Sequence, residues 1–268
     1  MPTHDTSSQS LLWAIQNHPQ SKNPALLAQA CAAAGFDALL LEASDDELPG
    51  VPWDRPVLFY GSCRFVSNVQ RSGRWRPCAY FDPQLLRFSA YLEHYGARLL
   101  NHDAHSMRLC DAGDLPAGEK FFVRCDADSK ELAGDVWSGA QLHSYVDKLL
   151  EANATALLDL PIVVAARRRI DYEWRLFVAD GHVCGATQYR YAGELACARD
   201  VPQNVVDFAA ETAAIWSPLP VFVIDVASCG ADLFVLELNG FNSSGFYAAD
   251  VGGIVRAVAQ FAGRGVQA

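Results

Sequence analysis

Positive charge is scarce in this sequence. Lysine and arginine number 21 against 31 aspartates and glutamates, which gives a formal net charge of -10. An acidic chain repels phosphate backbones, so nucleic acid is excluded as the expected partner. Long apolar runs are also missing, since no stretch approaches the roughly 20 residues of a membrane-spanning helix. The start, MPTHDTSSQS, has neither the basic nor the apolar region of a secretory signal, so we expect a cytoplasmic protein without a membrane partner.

Motifs of several common enzyme classes are missing as well. The sequence has no GxSxG of a hydrolase and no GxGxxG of a dinucleotide-binding loop. The segment GDLPAGEKF imitates a phosphate-binding loop, but its lysine comes one residue late and no serine or threonine follows. His102 and His105 have no third ligand near them in the sequence, which favours a solvated loop over a metal site.

The eight cysteines never occur at CxxC spacing. Most of them stand in apolar surroundings, such as FFVRC, which ends at Cys125. In a cytosolic chain of this size such residues are more often small core side chains than zinc ligands or disulfide partners. We therefore expect structural thiols.

The composition itself is that of a globular protein, with 51% hydrophobic residues in a chain of 268. Helical and strand-like patterns alternate in the first part, which favours a partly parallel sheet. The tight-turn signals ADG and SCGAD each lie between two strand patterns and predict two hairpins. Ser138 is a plausible cap of the helix that follows it. Helices are predicted over 23–35, 83–96, 138–153, 201–216 and 245–263, and a short strand over 97–101.

Two otherwise apolar strand patterns carry carboxylates. Alternation in VFVIDVA puts Asp225 on one face with two valines, and in LFVLELN it puts Val235, Glu237 and Asn239 on one face. A hairpin can bring these two faces to the same side of a sheet. Oxygen ligands without cysteine or histidine suit a hard ion such as Mg²⁺. The alternative is that both acids are strand-end residues that face water.

Four cationic residues stand at strand ends or in a turn: Arg124, Lys130, Arg175 and Arg190. Arg124 and Arg175 interrupt apolar strands, and buried arginines are rarely left unpaired. Salt bridges to Glu173 or Glu131 are one explanation. A mixed cluster of acids, an amide and bases around a metal ion and a polyphosphate is the other, and it accounts for all four residues.

Several motifs in order resemble the ATP-grasp fold, in particular the clade named for two characteristic arginines and one lysine. These motifs are FFVRCDADSKELAG, IDYEWRLFVADG, ATQYR, FVIDVA and LELNGFNSSGFYAAD. VLFYGSCRFV and RLLNHDA are similar to the amino-terminal part of that clade. The resemblance implies an α/β (α+β) fold, in which two α+β lobes hold ATP between them after a small α/β amino-terminal domain. The implied domains are 1–115 and 116–268, with a small lobe over about 116–165 and a large lobe over about 166–268.

The resemblance also implies roles for individual residues. Asp225, Glu237 and Asn239 would bind Mg²⁺, with two ions expected and Mn²⁺ able to substitute. Lys130 would lie in a flexible loop above the phosphates, and Arg175 and Arg190 would face the γ-phosphate or the carboxylate substrate. The position of Arg190 at the end of its strand favours the substrate, and a surface ion pair with Glu194 is the alternative. The residues expected to act in catalysis are Lys130, Arg175 and Arg190. The residues expected to bind the nucleotide are Lys120, Arg124, Lys130, Glu173 and Arg175.

The reaction implied is the ATP- and Mg²⁺-dependent joining of a carboxylate to an amine through an acyl phosphate. Mg²⁺ and arginines would offset the negative charge that builds up as the carboxylate attacks the γ-phosphoryl group. The expected partners are small-molecule or peptide carboxylate and amine substrates. Two alternatives stay open, namely an ATP-grasp kinase that stops at phosphoryl transfer and a non-catalytic nucleotide-binding protein.

Overall fold

The computed structural model of this chain describes residues 11–127, 131–132 and 134–264. Its strands are β1 (Leu12–Gln16), β2 (Asp37–Leu41), β3 (Val57–Tyr60), β4 (Pro77–Cys78), β5 (His105–Arg108), β6 (Lys120–Cys125), β7 (Asp135–Ser138), β8 (Pro161–Ala166), β9 (Tyr172–Ala179), β10 (His182–Tyr191), β11 (Glu194–Ala198), β12 (Val221–Cys229) and β13 (Asp232–Gly240). Its α-helices are α1 (Asn23–Ala33), α2 (Cys63–Arg71), α3 (Phe88–Tyr95), α4 (Gly139–Glu151), α5 (Thr155–Leu158), α6 (Gln203–Ile215) and α7 (Val251–Arg264).

The first sheet has the order β2-β1-β3-β4, and its strands run parallel. Its central strand β1 is buried on both faces, as parallel strands covered by helices are. Trp13 packs with α1 and α7 on one face, whereas Ala14 packs with α2 on the other. The alternation of helix and strand patterns therefore predicts the parallel character correctly.

The second sheet is antiparallel, with the order β11-β10-β9-β12-β13. Both predicted hairpins are present, β9 with β10 and β12 with β13. Asp180 and Gly181 have φ values of 53° and 75°, the left-handed conformation that a two-residue hairpin turn needs. Along β9 one face carries Phe177 in the apolar core under α7, then Arg175 and Glu173 at a cavity. The same strand face is thus core at one end and polar at the other.

The third sheet is antiparallel, with the order β5-β8-β6-β7, and α4 packs on it. Ser138 caps α4 as expected, because its Oγ accepts from the Gln141 amide at 3.2 Å while Gln141 Oε1 accepts from the Ser138 amide at 2.8 Å. Strand β5 belongs to the predicted amino-terminal domain, 1–115, yet it pairs with β8 of the predicted small lobe. The division of the chain at residue 115 stays a prediction.

Some predicted elements differ in the structure. The segment 97–101 is not a strand, because a short 3₁₀ turn ends there and only Leu99 bridges to Val235. The last helix begins at Val251, six residues after the predicted start at 245. Helix α3 begins at Phe88 instead of residue 83, since Asp126 accepts hydrogen bonds from the Phe88 and Ser89 amides at 2.8 Å each.

The eight cysteines all lie in the described ranges and form no disulfide. Cys31, Cys78 and Cys125 are buried, as expected of structural thiols, and burial raises the pKa of the Cys31 thiol to about 12. Cys197 is exposed, so that expectation does not hold for every cysteine. Among the described helices, none combines the length and apolar character needed to cross a bilayer.

Candidate active site

A cavity of about 530 Å³ lies between the second and third sheets. The third sheet and the segment after β6 contribute Phe122, Arg124, Cys125, Ala127, Leu132 and Gly134. The second sheet contributes Glu173, Arg175, Tyr189, Arg190, Asp225, Leu236, Glu237 and Asn239, and Ile170 and Tyr247 complete the lining. Most of the site residues predicted from the sequence therefore meet at one place.

The predicted acids and amide converge through strand register. Asp225 in β12 lies opposite Glu237 in β13 and opposite Arg175 in β9. Asn239 is two residues beyond Glu237, and its Nδ2 lies 3.2 Å from Asp225 Oδ2 and 3.2 Å from Glu237 Oε1. Asp225 is 0% exposed, so the alternative of a water-facing strand-end residue is wrong for it.

A β-bulge in β13 changes which side chains face the cavity next to Glu237. Asp225 pairs with Glu237, but the next residue, Val226, pairs with Val235, which leaves Leu236 as an extra residue on β13. Val235 consequently packs in the apolar core, whereas Leu236 lines the cavity. The prediction that Val235 shares a face with Glu237 is wrong, because simple alternation cannot include the inserted residue.

Arg175 holds Asp225 in a bidentate pair. Its Nε donates to Asp225 Oδ1 at 2.8 Å and its Nη2 donates to Oδ2 at 2.7 Å. Its Nη1 lies 3.4 Å from the carbonyl oxygen of Gly245. Charge-assisted bidentate pairs of this kind fix orientation as well as charge. The salt-bridge explanation for Arg175 is therefore correct in kind, but the partner is neither Glu173 nor Glu131.

Arg124 joins the two sides of the cavity. Its Nη1 donates to Glu237 Oε2 at 2.9 Å, which links β6 of the third sheet to β13 of the second. The two side chains are 12% and 29% exposed, so the pair is largely shielded from water. Arginine and carboxylate from facing sheets are thus brought together at the point where a ligand in the cavity would lie.

Burial and charge act in opposite directions on the two carboxyls. Burial raises the pKa of Asp225 to about 6, although Arg175 opposes that rise. Burial acts in the same direction on Glu237, but Arg124 and Arg175 outweigh it and lower the pKa. A divalent cation placed between the carboxylates would favour the ionised form of both.

The donor set fits Mg²⁺. Asp225 and Glu237 supply carboxylate oxygens, and Asn239 supplies an amide that would turn its oxygen towards a cation by rotation about its last bond. The described parts of the chain contain no group of three or more histidine, cysteine or acidic residues that could hold a metal ion, so this site offers two carboxylates and one amide. One or two carboxylates are the usual protein share of a Mg²⁺ site that also binds phosphates.

Glu173, Tyr189 and Arg190 form a second polar group in the cavity lining. The Tyr189 hydroxyl donates to Glu173 Oε2 at 2.7 Å, and Arg190 Nη1 lies 4.0 Å from Glu173 Oε1. Half of the Arg190 side chain is exposed, with 51% of its surface accessible. Within the described residues Arg190 has Glu173 as its acidic neighbour, and the alternative of a surface ion pair with Glu194 is not formed.

Of the two predicted lysines, only Lys120 lies in the described part of the chain, and it is not part of the cavity lining. Lys120 is exposed at the start of β6, although Phe122 and Arg124 on the same strand face line the cavity. Lys130 lies outside the described residues. Tyr247 lines the cavity and was missed from the sequence, since the helical pattern assigned to 245–263 gave no sign of a loop there.

Two lobes with a polar cavity between their sheets are the architecture of the ATP-grasp fold, and solved structures show the same fold. The chain is similar to the crystal structure of D-cycloserine synthetase DcsG, at 17% identity and a TM-score of 0.64, over 94% of this chain and 99% of that one. It is similar to D-alanine–D-alanine ligase from Bacillus anthracis, at 10% identity and a TM-score of 0.60, over 96% and 99%. A third similar structure is the ATP-grasp ligase PsnB with a phosphomimetic variant of minimal precursor, Mg and ADP, at 13% identity and a TM-score of 0.58, over 96% and 99%.

The family follows from the sequence. A family model for the ATP-grasp domain, the third family of the clade named for two arginines and one lysine, matches residues 55–258. The chain belongs to this family, and the resemblance predicted from its motifs is confirmed. A search of curated proteins gave no significant match.

Proposed function

We propose that this protein is an ATP- and Mg²⁺-dependent ligase that joins a carboxylate to an amine through an acyl phosphate. The observation that carries the proposal is the row formed by Asp225, Glu237 and Asn239, which two arginines from facing sheets hold in the interlobe cavity. Membership of the ATP-grasp family supports ATP as the nucleotide. The similar structures include a synthetase and two ligases, which supports ligation over other outcomes.

Asp225, Glu237 and Asn239 would hold Mg²⁺, which when bound offsets the charge of the β- and γ-phosphates. Arg175 positions Asp225, and Arg124 positions Glu237 from the opposite sheet. We assign these two arginines and Lys130 to binding of the γ-phosphate. Together these groups would align the phosphates and counter the charge that develops in phosphoryl transfer.

The proposed reaction has two chemical steps and needs no reactant other than ATP, the acid and the amine. A carboxylate oxygen of the acid attacks the γ-phosphorus and displaces ADP. The amine nitrogen then attacks the acyl carbon, displaces inorganic phosphate and loses one proton. Arg190 lines the cavity with half of its side chain exposed, and we assign it to the substrate carboxylate because a guanidinium binds carboxylates in a bidentate manner.

The substrates proposed are a small-molecule or peptide carboxylate and an amine. One similar structure, the ligase PsnB, is complexed with a precursor peptide, and another is a D-alanine–D-alanine ligase, so the same fold accepts both sizes of substrate. For this chain we therefore propose substrates of either kind, small molecules or peptides.

The test is phosphate release from Mg·ATP with amino acids and short peptides supplied singly and in pairs, followed by mass spectrometry of the products. A ligase releases ADP and phosphate only when a carboxylate and an amine are both present, on two compounds or on two molecules of one amino acid, and the product has the mass of their amide. A stable phosphorylated product from one substrate alone would instead identify a kinase. Nucleotide binding without turnover in any combination would contradict both enzymatic functions.

A further inference from the structure

Tyr247 has an unusual backbone conformation. Its φ is 50°, in the left-handed region that favours glycine. The other non-glycine residues with positive φ in the described chain are Cys78, Asn153, Asp180 and Ala192, and all of them have smaller side chains. A bulky aromatic residue is held in this region only where the surrounding structure dictates it, and such positions cluster at functional sites.

Anchors just before Tyr247 fix the loop. Phe246 is fully buried and stacks on Tyr60 and Phe177, with ring centroids 5.5 Å and 5.6 Å apart. The Phe246 amide donates to Asn23 Oδ1 at 3.2 Å. The Tyr60 hydroxyl donates to the carbonyl oxygen of Ser244 at 2.8 Å. Because these contacts set the path of the chain, the Tyr247 backbone cannot relax without breaking them.

The ring of Tyr247 forms a wall of the cavity. It stacks on the Tyr189 ring at 5.0 Å with an interplanar angle of 13°, and the Arg175 guanidinium carbon lies 5.3 Å from its centroid. Tyr189 is itself fixed by its hydrogen bond to Glu173. Tyr247 is 40% exposed and lines the cavity, so a ligand in the cavity can contact it. Arg190, the residue assigned to the substrate carboxylate, lines the same cavity.

We propose that Tyr247 is a specificity-determining residue whose ring receives an apolar or aromatic group next to the carboxylate of the acid substrate. This inference rests on the proposed ligase function and names its acid as one with such a group. An aromatic surface backed by a second ring binds apolar groups by burial and planar groups by stacking. An acid bound by Arg190 would lay its side group on this wall.

The experiment uses hydroxylamine as the amine, because it converts an acyl phosphate into a hydroxamate and phosphate and so reports on the acid alone. The acids are alanine, aspartate, leucine and phenylalanine. The variants are Tyr247→Phe, which keeps the ring, and Tyr247→Gly, which removes it and suits the positive φ. Tyr191→Ala is the matched control, since Tyr191 is an exposed tyrosine of the same sheet outside the cavity lining.

We expect Tyr247→Gly to lower kcat/KM for leucine and phenylalanine at least tenfold, which corresponds to about 1.4 kcal/mol. The value for alanine and the KM for ATP should change less than threefold, and Tyr247→Phe should stay close to the wild type. The melting temperature of Tyr247→Gly should shift by less than about 4 °C, because relief of the backbone offsets loss of the ring contact. An equal loss for all four acids, a raised KM for ATP, or the same profile in Tyr191→Ala would overturn the inference.

A second measurement separates this inference from the proposed function. Calorimetry with Mg²⁺ and the non-hydrolysable analogue AMPPNP measures binding of the four acids without turnover. If no hydroxamate forms with any acid, the ligase proposal fails for this series. The inference then requires that phenylalanine or leucine bind the wild type at least tenfold more tightly than Tyr247→Gly, and equal or absent binding overturns it.

Discussion

Replacement of Arg175 by methionine is expected to lower the free energy of unfolding substantially. Asp225 is 0% exposed, and both of its oxygens accept from Arg175, at 2.8 Å and 2.7 Å. Removing one partner of a buried ion pair leaves an uncompensated charge and typically costs about 3–5 kcal/mol. Asn239 keeps its contact at 3.2 Å, so we expect the lower part of this range, about 3 kcal/mol.

The loss should depend on pH with a definite sign. In the wild type, burial already raises the pKa of Asp225 to about 6 against the opposition of Arg175, and without Arg175 the pKa rises further. A carboxyl with a higher pKa in the folded than in the unfolded state binds more protons when folded, so stability falls as pH rises. The destabilisation of Arg175→Met should therefore be larger at pH 8 than at pH 5.

The assay is urea unfolding of wild type, Arg175→Met, Asp225→Asn and the double variant at both pH values, without nucleotide. The double variant should be less destabilised than the sum of the two single variants, because it leaves no unpaired charge. Arg264→Met is the control, since Arg264 and Asp180 form an exposed pair at 2.7 Å whose loss should cost less than about 1 kcal/mol. A loss of that small size for Arg175→Met, or one independent of pH, would refute the reasoning.

Three further predictions concern the proposed site. Glu237→Gln should abolish ADP release while the circular dichroism spectrum stays unchanged, because an isosteric amide removes the charge of a proposed metal ligand; full activity would contradict that role. ATP at about 100-fold its Kd should add roughly 2.7 kcal/mol of stability with Mg²⁺, and a melting shift that persists in EDTA would argue against the metal assignment. Arg190→Ala should raise the KM of the acid about ten- to a hundredfold, from a loss of about 1.5–3 kcal/mol, and an equal rise in the KM of ATP would show that the residue binds the nucleotide instead.

Local patterns predict the framework of the site. The turn signals ADG and SCGAD are short-range features, so both hairpins follow from the sequence alone. Register within the second hairpin then brings Asp225 to Glu237. The bulge at Leu236 cannot be predicted in this way, because an extra residue becomes visible only when the two strands are paired.

Contacts between distant residues are beyond such patterns. Arg124 and Glu237 are 113 residues apart and lie on different sheets, so no local spacing relates them. The Phe246 amide bonds Asn23 across 223 residues, and contacts of this kind keep 245–250 out of the helix that periodicity predicts. Tyr247 is missed for the same reason. Lys120 shows the converse, since it shares a strand face with Phe122 and Arg124 but its position at the strand start leaves it exposed.

The most direct test of the central claim follows one oxygen atom through the reaction. An acid that supports phosphate release is prepared with both carboxylate oxygens isotopically labelled, and the released inorganic phosphate is examined by mass spectrometry. If the carboxylate attacks the γ-phosphoryl group to form an acyl phosphate, one labelled oxygen passes from each ligated acid to the phosphate. Unlabelled phosphate, formed alongside the amide product, would contradict the acyl-phosphate mechanism.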